Sequence, residues 1–456
     1  MSAEEQPTER IVAMGWGRFA DARRWVALGG LMMLLTPQIV QAQEPQSADL
    51  VVLGGRLATV SDHPPAAEAV AALGGRIVAV GSDREIRRWV GPHTEVVEAH
   101  GKLVTPGLID SHVHLSGIGR SRQQLDLVGT SGQGEIADLV RRRAQELPPG
   151  TWVLGRGWDQ NDWPDRQFPT HAALTEAAAD RPVFLTRICG HAGWANRAAL
   201  ELAGIGPDTP DPPGGRILRD EDGQPTGVLI DAAQGLVAGK IPPPGKEETA
   251  EALELAVAEC PALGLTGVHD AGCGLQTLDL LRQLAAEGRL PLRVYAMLSG
   301  DDRKLLGEAF ARGREVGLAD HRLTIRAVKL FADGALGSRG AALLEPYADA
   351  PEESGLVILS GDRIAEVSKR ALAAGFQVCT HAIGDRANRV ALDAYQRAFL
   401  ALPHAADPRF RIEHAQILDA QDVPRFAELG VIASVQSTHA TSDMPWVHDR
   451  IGPDRA

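Results

Sequence analysis

The chain is poor in the features that announce several common protein classes. Four cysteines occur in 456 residues, Cys189, Cys260, Cys273 and Cys379, and no two form a CxxC pair. Neither a zinc ribbon nor a thioredoxin-type redox motif is therefore expected. The even count permits disulfides in an oxidising compartment, but free cysteine behaves as a small apolar side chain, and the four are read as core residues. No GxGxxG follows a strand-like run, so a dinucleotide site is not supported. Positive charge is scarce: 46 Lys and Arg against 59 Asp and Glu give a formal charge of −13. With no basic footprint, the chain is not expected to bind nucleic acid. The apolar run "WVALGGLMMLL" (Trp25–Leu35) is too short to span a bilayer comfortably, so no stable membrane span is expected.

What is present is ordinary for a globular protein, with 44% hydrophobic and 23% charged residues. The length suits one large domain and a smaller one. Residues 1–42 read as a leader. Arg18, Arg23 and Arg24 precede the apolar run, and Val40 and Ala42 in "VQAQ" occupy the small-residue positions of a signal-peptidase site. Cleavage near Ala42 and export to the periplasm or medium are the expectation. Thirteen residues ahead of Met14 are unusual for a signal, which makes Met14 an alternative start. A twin-arginine address at Arg23-Arg24 and an uncleaved anchor are the other readings.

Residues 43–105 form a first module. Short apolar stretches such as "DLVVLGGRLATV" and "AVAALGGRIVAVGS" alternate with glycine turns, which predicts antiparallel hairpins in a small β-sandwich domain. Residues 106–456 have a different texture. Apolar strand-like runs ("TGVHDAG", "RAVKLFADG", "FQVCTHAIGD", "RFRIEHAQ", "GVIASVQSTHA") alternate with Ala- and Leu-rich helical stretches. Alternation of this kind implies parallel strands with crossover helices. Its many repeats, with polar residues at the strand ends, predict an α/β fold of the TIM-like (β/α) barrel type. A doubly wound open sheet is the alternative. The Gly-, Pro-, Trp- and Asp-rich stretch at about 130–250 is too long for a βα loop and reads as an insertion capping the barrel mouth.

His112 and His114 in "GLIDSHVHL" stand two apart, on one face of a strand. His381 in "VCTHAIGD" and His414 in "RIEHAQ" lie at later strand ends. Barrel enzymes build their sites from the C-terminal ends of several strands, and imidazole suits zinc-like metals rather than Mg or Ca. Lys329 in "RAVKLFADG" has two readings. One is an ion pair with Asp333. The other is a buried lysine that gives up its proton, adds CO2 and becomes a carbamate with two ligating oxygens.

"GLIDSHVHL", "VKLFADGALGSRGA", "THAIGDRAN" and "RIEHAQ", in that order, resemble the amidohydrolase superfamily. "GRGWDQNDW" and "GHAGWANRAAL" resemble its branch of N-substituted formamide deformylases and YtcJ-like proteins. The resemblance runs from about residue 49 to the last residue. It implies a barrel flanked by a composite β-sandwich, and one or two divalent ions, zinc first. Its metal ligands would be His112 and His114 on the first strand, carboxylated Lys329 on the fourth, His381 on the fifth and His414 on the sixth. Hydrolysis of a non-peptide C–N bond in a small amide, N-formyl or cyclic, by a metal-activated hydroxide is the implied reaction.

The same resemblance calls for an aspartate at the end of an eighth strand, whose acid–base assistance is typically worth about 10²–10⁴-fold. "GSD" at Gly81-Ser82-Asp83 precedes the first ligand strand and reads as a β-turn. Asp443 follows the seventh strand. The barrel is therefore expected to be incomplete at its C-terminal end, the chain a fragment or a truncated remnant. Two alternatives to the leading function follow: an impaired or inactive remnant, and an esterase or lactonase of the same fold. Trp158, Asp159 and His191 in the insertion, Asp270 after "GVHDAG" and His439 are candidate substrate-facing residues. A homo-oligomer is compatible with the sequence.

Overall fold

The computed structural model describes residues 47–455 apart from 63–65, 189, 191, 213–214, 338 and 404–406. The leader, Cys189 and His191 lie outside the described residues. The chain divides at Pro106 and Gly107 into two units.

In the first unit, alternation sets the strands: Val51 and Leu53 are buried while Leu50 and Val52 are partly exposed. Leu50–Leu53 pairs antiparallel with Ala69–Leu73, which forms a hairpin with Arg76–Gly81. Gly74 and Gly75 make that turn with φ of 57° and 71°, the left-handed pair a tight hairpin needs. Two pairings depart from the antiparallel expectation. Glu95–Glu98 runs parallel to Leu50–Leu53, and Leu103–Val104 parallel to Arg56–Ala58. The cause is the connection through the helix Asp83–Ile86 and the turn Arg87–Trp89, which lets the chain return in the same direction. Ser82-Asp83 opens that helix rather than a β-turn. The Glu85 carboxylate accepts from both the Ser82 N–H and its hydroxyl, at 2.9 and 2.7 Å, and Asp83 accepts from the Gly54 N–H at 2.7 Å.

Among the described residues the main sheet of the second unit has seven parallel strands: β1 Leu108–Val113, β2 Leu265–Cys273, β3 Arg293–Ser299, β4 Leu323–Phe331, β5 Gln377–Ala382, β6 Arg411–His414 and β7 Ile432–Ser434. They pair in sequence order from β1 to β7. No reversal of order occurs, which separates this nearly closed barrel sheet from a doubly wound one. The short strand Glu315–Gly317 adds antiparallel to β4. Among the described residues β1 and β7 are the two edges of the sheet, and Leu108 and Ile109 on β1 are exposed.

Side-chain alternation sorts each strand. Val328 and Leu330 of β4 join the apolar layer beneath the helices, while Ala327, with Ala271, Met297 and Cys379, fills a separate small cluster. Helix Leu115–Gln123 follows β1 directly and packs on Lys246–Ala262, the helix before β2. Gly119 permits this approach, since a Cβ there would sit 1.7 Å from the Ala252 carbonyl oxygen.

The inserted segment between these helices is a mixed six-stranded sheet, from Leu125–Asp126 to Pro225–Asp231. It has its own core around Trp158, Trp163 and Trp194. Its sheet starts before residue 130 and ends well before 250, because Lys246–Ala262 belongs to the barrel. No helix among the described residues is long and apolar enough to cross a membrane.

Candidate active site

The C-terminal ends of β1, β4, β5 and β6 bring four imidazoles and one amine together. His112 sits near the end of β1, and His114 caps the helix that follows. His381 and His414 end β5 and β6, which pair with Ala382 opposite His414. Lys329 lies on β4, where its neighbour Phe331 pairs with His381. The rings form a chain. The centroids of His114 and His112 are 5.4 Å apart, those of His112 and His414 4.7 Å, and those of His414 and His381 4.5 Å. His439, just after β7, joins at 5.4 Å from His414.

The donors are chemically prepared. His112 Nδ1 is 2.6 Å from Glu413 Oε2. A carboxylate only accepts, so Nδ1 carries a proton, and Nε2 is the nitrogen left to face a metal. His414 Nδ1 donates to Gln436 Oε1 at 2.7 Å, with the same consequence. Burial, followed by the charges of Lys329 and neighbouring histidines, lowers the pKa values of His114, His381 and His414. It brings His381 to about 4 and His414 to about 3, and shifts His114 downward. Neutral imidazole is the metal-binding form. His414 also has φ of 74°, and Ala415 43°. Non-glycine residues in this region cost of order 1–3 kcal/mol each and collect at functional sites.

Lys329 is fully buried, and its Nζ has no hydrogen-bond partner. Burial pulls its pKa down to about 8. Asp333 does not pair with it. That carboxylate accepts instead from the N–H groups of Ile383, Gly384 and Ala342 at 3.0, 2.8 and 2.9 Å. His381 Nε2 is likewise buried without a hydrogen bond, 3.5 Å from Asp333 Oδ1. Two buried nitrogen atoms without hydrogen bonds beside three further imidazoles fit a divalent metal of the zinc type in donor chemistry. Among the described residues no three His, Cys, Asp or Glu side chains already stand around one point. The ring pairs are T-shaped or tilted.

Other sequence candidates fall elsewhere. Trp158 is buried in the insertion, where its indole N–H donates to Leu185 O at 2.9 Å. Asp159 pairs with Arg187. The structure places both in the insertion's own interactions, not in the imidazole chain. Asp270 is buried on β2, paired with Val113 of β1. It accepts from the Leu115 N–H at 3.2 Å and from the Cys273 thiol at 3.2 Å, and burial raises its pKa to about 6. Cys260, Cys273 and Cys379 are free and buried.

Sequence reasoning missed Arg411, Glu413 and Gln436. Glu413 is fully buried. Burial alone would raise its pKa, but the His112 hydrogen bond and the Arg411 guanidinium outweigh it and bring the carboxyl to about 2. Arg411 donates to Glu413 Oε1 from Nε at 2.7 Å and to Ser111 O at 3.0 Å, with His269 Nδ1 at 2.8 Å from the same guanidinium. Two opposite charges spaced i, i+2 in the apolar run "FRIEH" were the available signal.

The model of a family described as the amidohydrolase family matches residues 95–456. The chain is 35% identical over 409 residues to the putative amidohydrolase YtcJ of Bacillus subtilis, covering 88% of this chain and 75% of that one. It is 32% identical to the N-substituted formamide deformylase of Arthrobacter pascens, covering 85% and 72%. An uncharacterized metal-dependent hydrolase from Pyrococcus furiosus superposes with a TM-score of 0.73 at 31% identity, covering 89% and 80%.

Proposed function

Because the chain belongs to the amidohydrolase family, we propose that it is a metal-dependent hydrolase that cleaves the C–N bond of a non-peptide amide, an N-formyl or cyclic amide. The observation that carries this reading is the chain of imidazoles with the buried Lys329 amine, which makes no hydrogen bond, at the strand ends. His112, His114, Lys329, His381 and His414 would hold one or two zinc-type ions. Such an ion makes a bound water nucleophilic near neutral pH and polarises the substrate carbonyl.

The residues around the ion have separate tasks. Glu413 and Gln436 hold Nδ1 of His112 and His414, so that Nε2 of each is left to face the ion. Burial keeps His114, His381 and His414 neutral. The lowered pKa of Lys329 raises its neutral fraction, and the neutral amine can add CO2 with loss of a proton to give a carbamate. The deformylase relative supports the C–N bond as the target. The leader read in residues 1–42 supports export, which N-terminal sequencing of secreted material would check.

The test is elemental analysis of the purified full chain, together with turnover of a panel of N-substituted formamides, cyclic amides and lactones. Bound zinc, amide turnover and its loss with a chelator are the expected results. Metal-free protein with no amide turnover overturns the reading. Faster lactone than amide turnover assigns the site to ester chemistry instead.

A further inference from the structure

A cleft of about 290 Å³ opens beside the imidazole chain, lined by loops that follow β4, β5 and β6 and by the helix Ser437–Asp443 after β7. Its size is at the low end of the ~300–1,000 Å³ range of ligand pockets, enough for a single-ring substituent. One wall is apolar: Leu336, Ile383 and the Trp446 ring. Gly337 lets that ring close down, since a Cβ there would lie 3.3 Å from it. The other wall is polar. Gln416 donates through Nε2 to Asp443 Oδ2 at 2.6 Å, and its Oε1 has no hydrogen-bond partner. His439 Nδ1 lies 3.8 Å from the same Asp443 oxygen, and its ring touches His414.

Charge gives the cleft a direction. It contains one carboxylate, and no Lys or Arg lines it among the described residues. Arg450 lies 5.8 Å over the Trp446 ring, but Asp349 and the Gly337 carbonyl oxygen hold it. We infer that this cleft is the subsite for the nitrogen side of the substrate, and that it takes a flat apolar substituent bearing N–H and no negative charge. The inference rests on the amide-hydrolase reading. In an N-formyl amide the acyl side carries only hydrogen, so all bulk lies on nitrogen and must extend away from the imidazoles, past His439 into the cleft. A ring stacks on Trp446, and an N–H or ammonium meets the Asp443 carboxylate. A carboxylate there would face Asp443 with no cation to offset it.

Calorimetry on the full chain compares two near-isosteric probes, 2-phenylethylamine and 3-phenylpropionate. The amine should bind at least about tenfold tighter. Trp446→Ala should weaken it by about tenfold, and Gly337→Val, which fills the cleft from the facing loop, should do the same. Asp443→Asn should narrow the gap between the probes. Equal affinities, no measurable amine binding, or amine affinity indifferent to both cleft variants overturns the subsite. Turnover separates this from the parent reading. Amine binding without hydrolysis of N-(2-phenylethyl)formamide refutes the hydrolase, not the cleft. Faster hydrolysis of N-formylphenylalanine than of the neutral amide refutes the cleft alone.

Discussion

Replacing Glu413 by Gln tests the electrostatic core of the site. The carboxylate has no exposed surface and serves two donors, the His112 N–H and the Arg411 guanidinium. An amide of the same shape has only one acceptor atom. Whichever donor that oxygen keeps, the NH2 group faces the other, and Arg411 is left buried without a counter-charge. A carboxyl held at about 2 rather than 4.5 favours its charged form by about 3 kcal/mol. Breaking a buried ion pair from one side costs about 3–5 kcal/mol, so both routes give the same order.

Chemical denaturation at pH 7 with chelator present should therefore show E413Q less stable by about 3 kcal/mol. The sign with pH follows from the depressed value. The wild-type advantage is fully present above the unfolded pKa near 4.5, and is lost as pH falls from there toward 2. The two proteins should then converge in acid. Zinc affinity at pH 7 should fall by about 10–100-fold, the usual effect of losing a carboxylate that orients a ligating histidine. The double variant Arg411→Met with Glu413→Met separates positioning from packing. It should recover much of the stability, since apolar replacements of a buried pair are tolerated, while zinc affinity stays low. Unchanged stability in E413Q, or full zinc affinity in the double variant, would refute the assignment.

Lys329→Met should raise stability in chelator by about 1–3 kcal/mol, because it removes a buried amine that makes no hydrogen bond and keeps an apolar side chain against the Phe331 ring, which Nζ meets at 4.6 Å; elemental analysis should show reduced zinc in the same protein. A stability loss would mean that Lys329 has a structural partner. Gly384→Val should cost at least about 1–3 kcal/mol, since a Cβ at Gly384 would lie 2.0 Å from the Ala342 carbonyl oxygen; thermal melts measure it, and a neutral result would show that the Asp333-tied loop gives way easily. Trp158→Ala should cost about 3–5 kcal/mol and leave zinc affinity and amine binding intact, as calorimetry on the folded variant would show. A selective loss of substrate affinity without destabilisation would return Trp158 to the substrate.

What the sequence could reveal depended on whether an interaction leaves a local pattern. His112 and His114 were readable as a pair from their spacing, although β1 ends at Val113 and His114 caps the next helix instead of sharing the strand face. The barrel was readable because parallel strands buried on both faces are apolar throughout and must alternate with helices. The direction of strand return in the first unit was not, since it depends on the path through Asp83–Ile86 rather than on any strand's composition. The partner of Asp333 was misplaced for a similar reason: spacing suggested Lys329, but the carboxylate turns to backbone N–H groups of two distant loops, which no local count can anticipate. Glu413 shows where the two kinds of information meet. Its charge in an apolar run is a local anomaly, and a buried charge must have a partner. The partner it finds on β1 lies 301 residues away in sequence. Buried charges in strand-like runs therefore deserve the same scrutiny as histidine pairs, because the energy needed to keep them charged must come from some other part of the site.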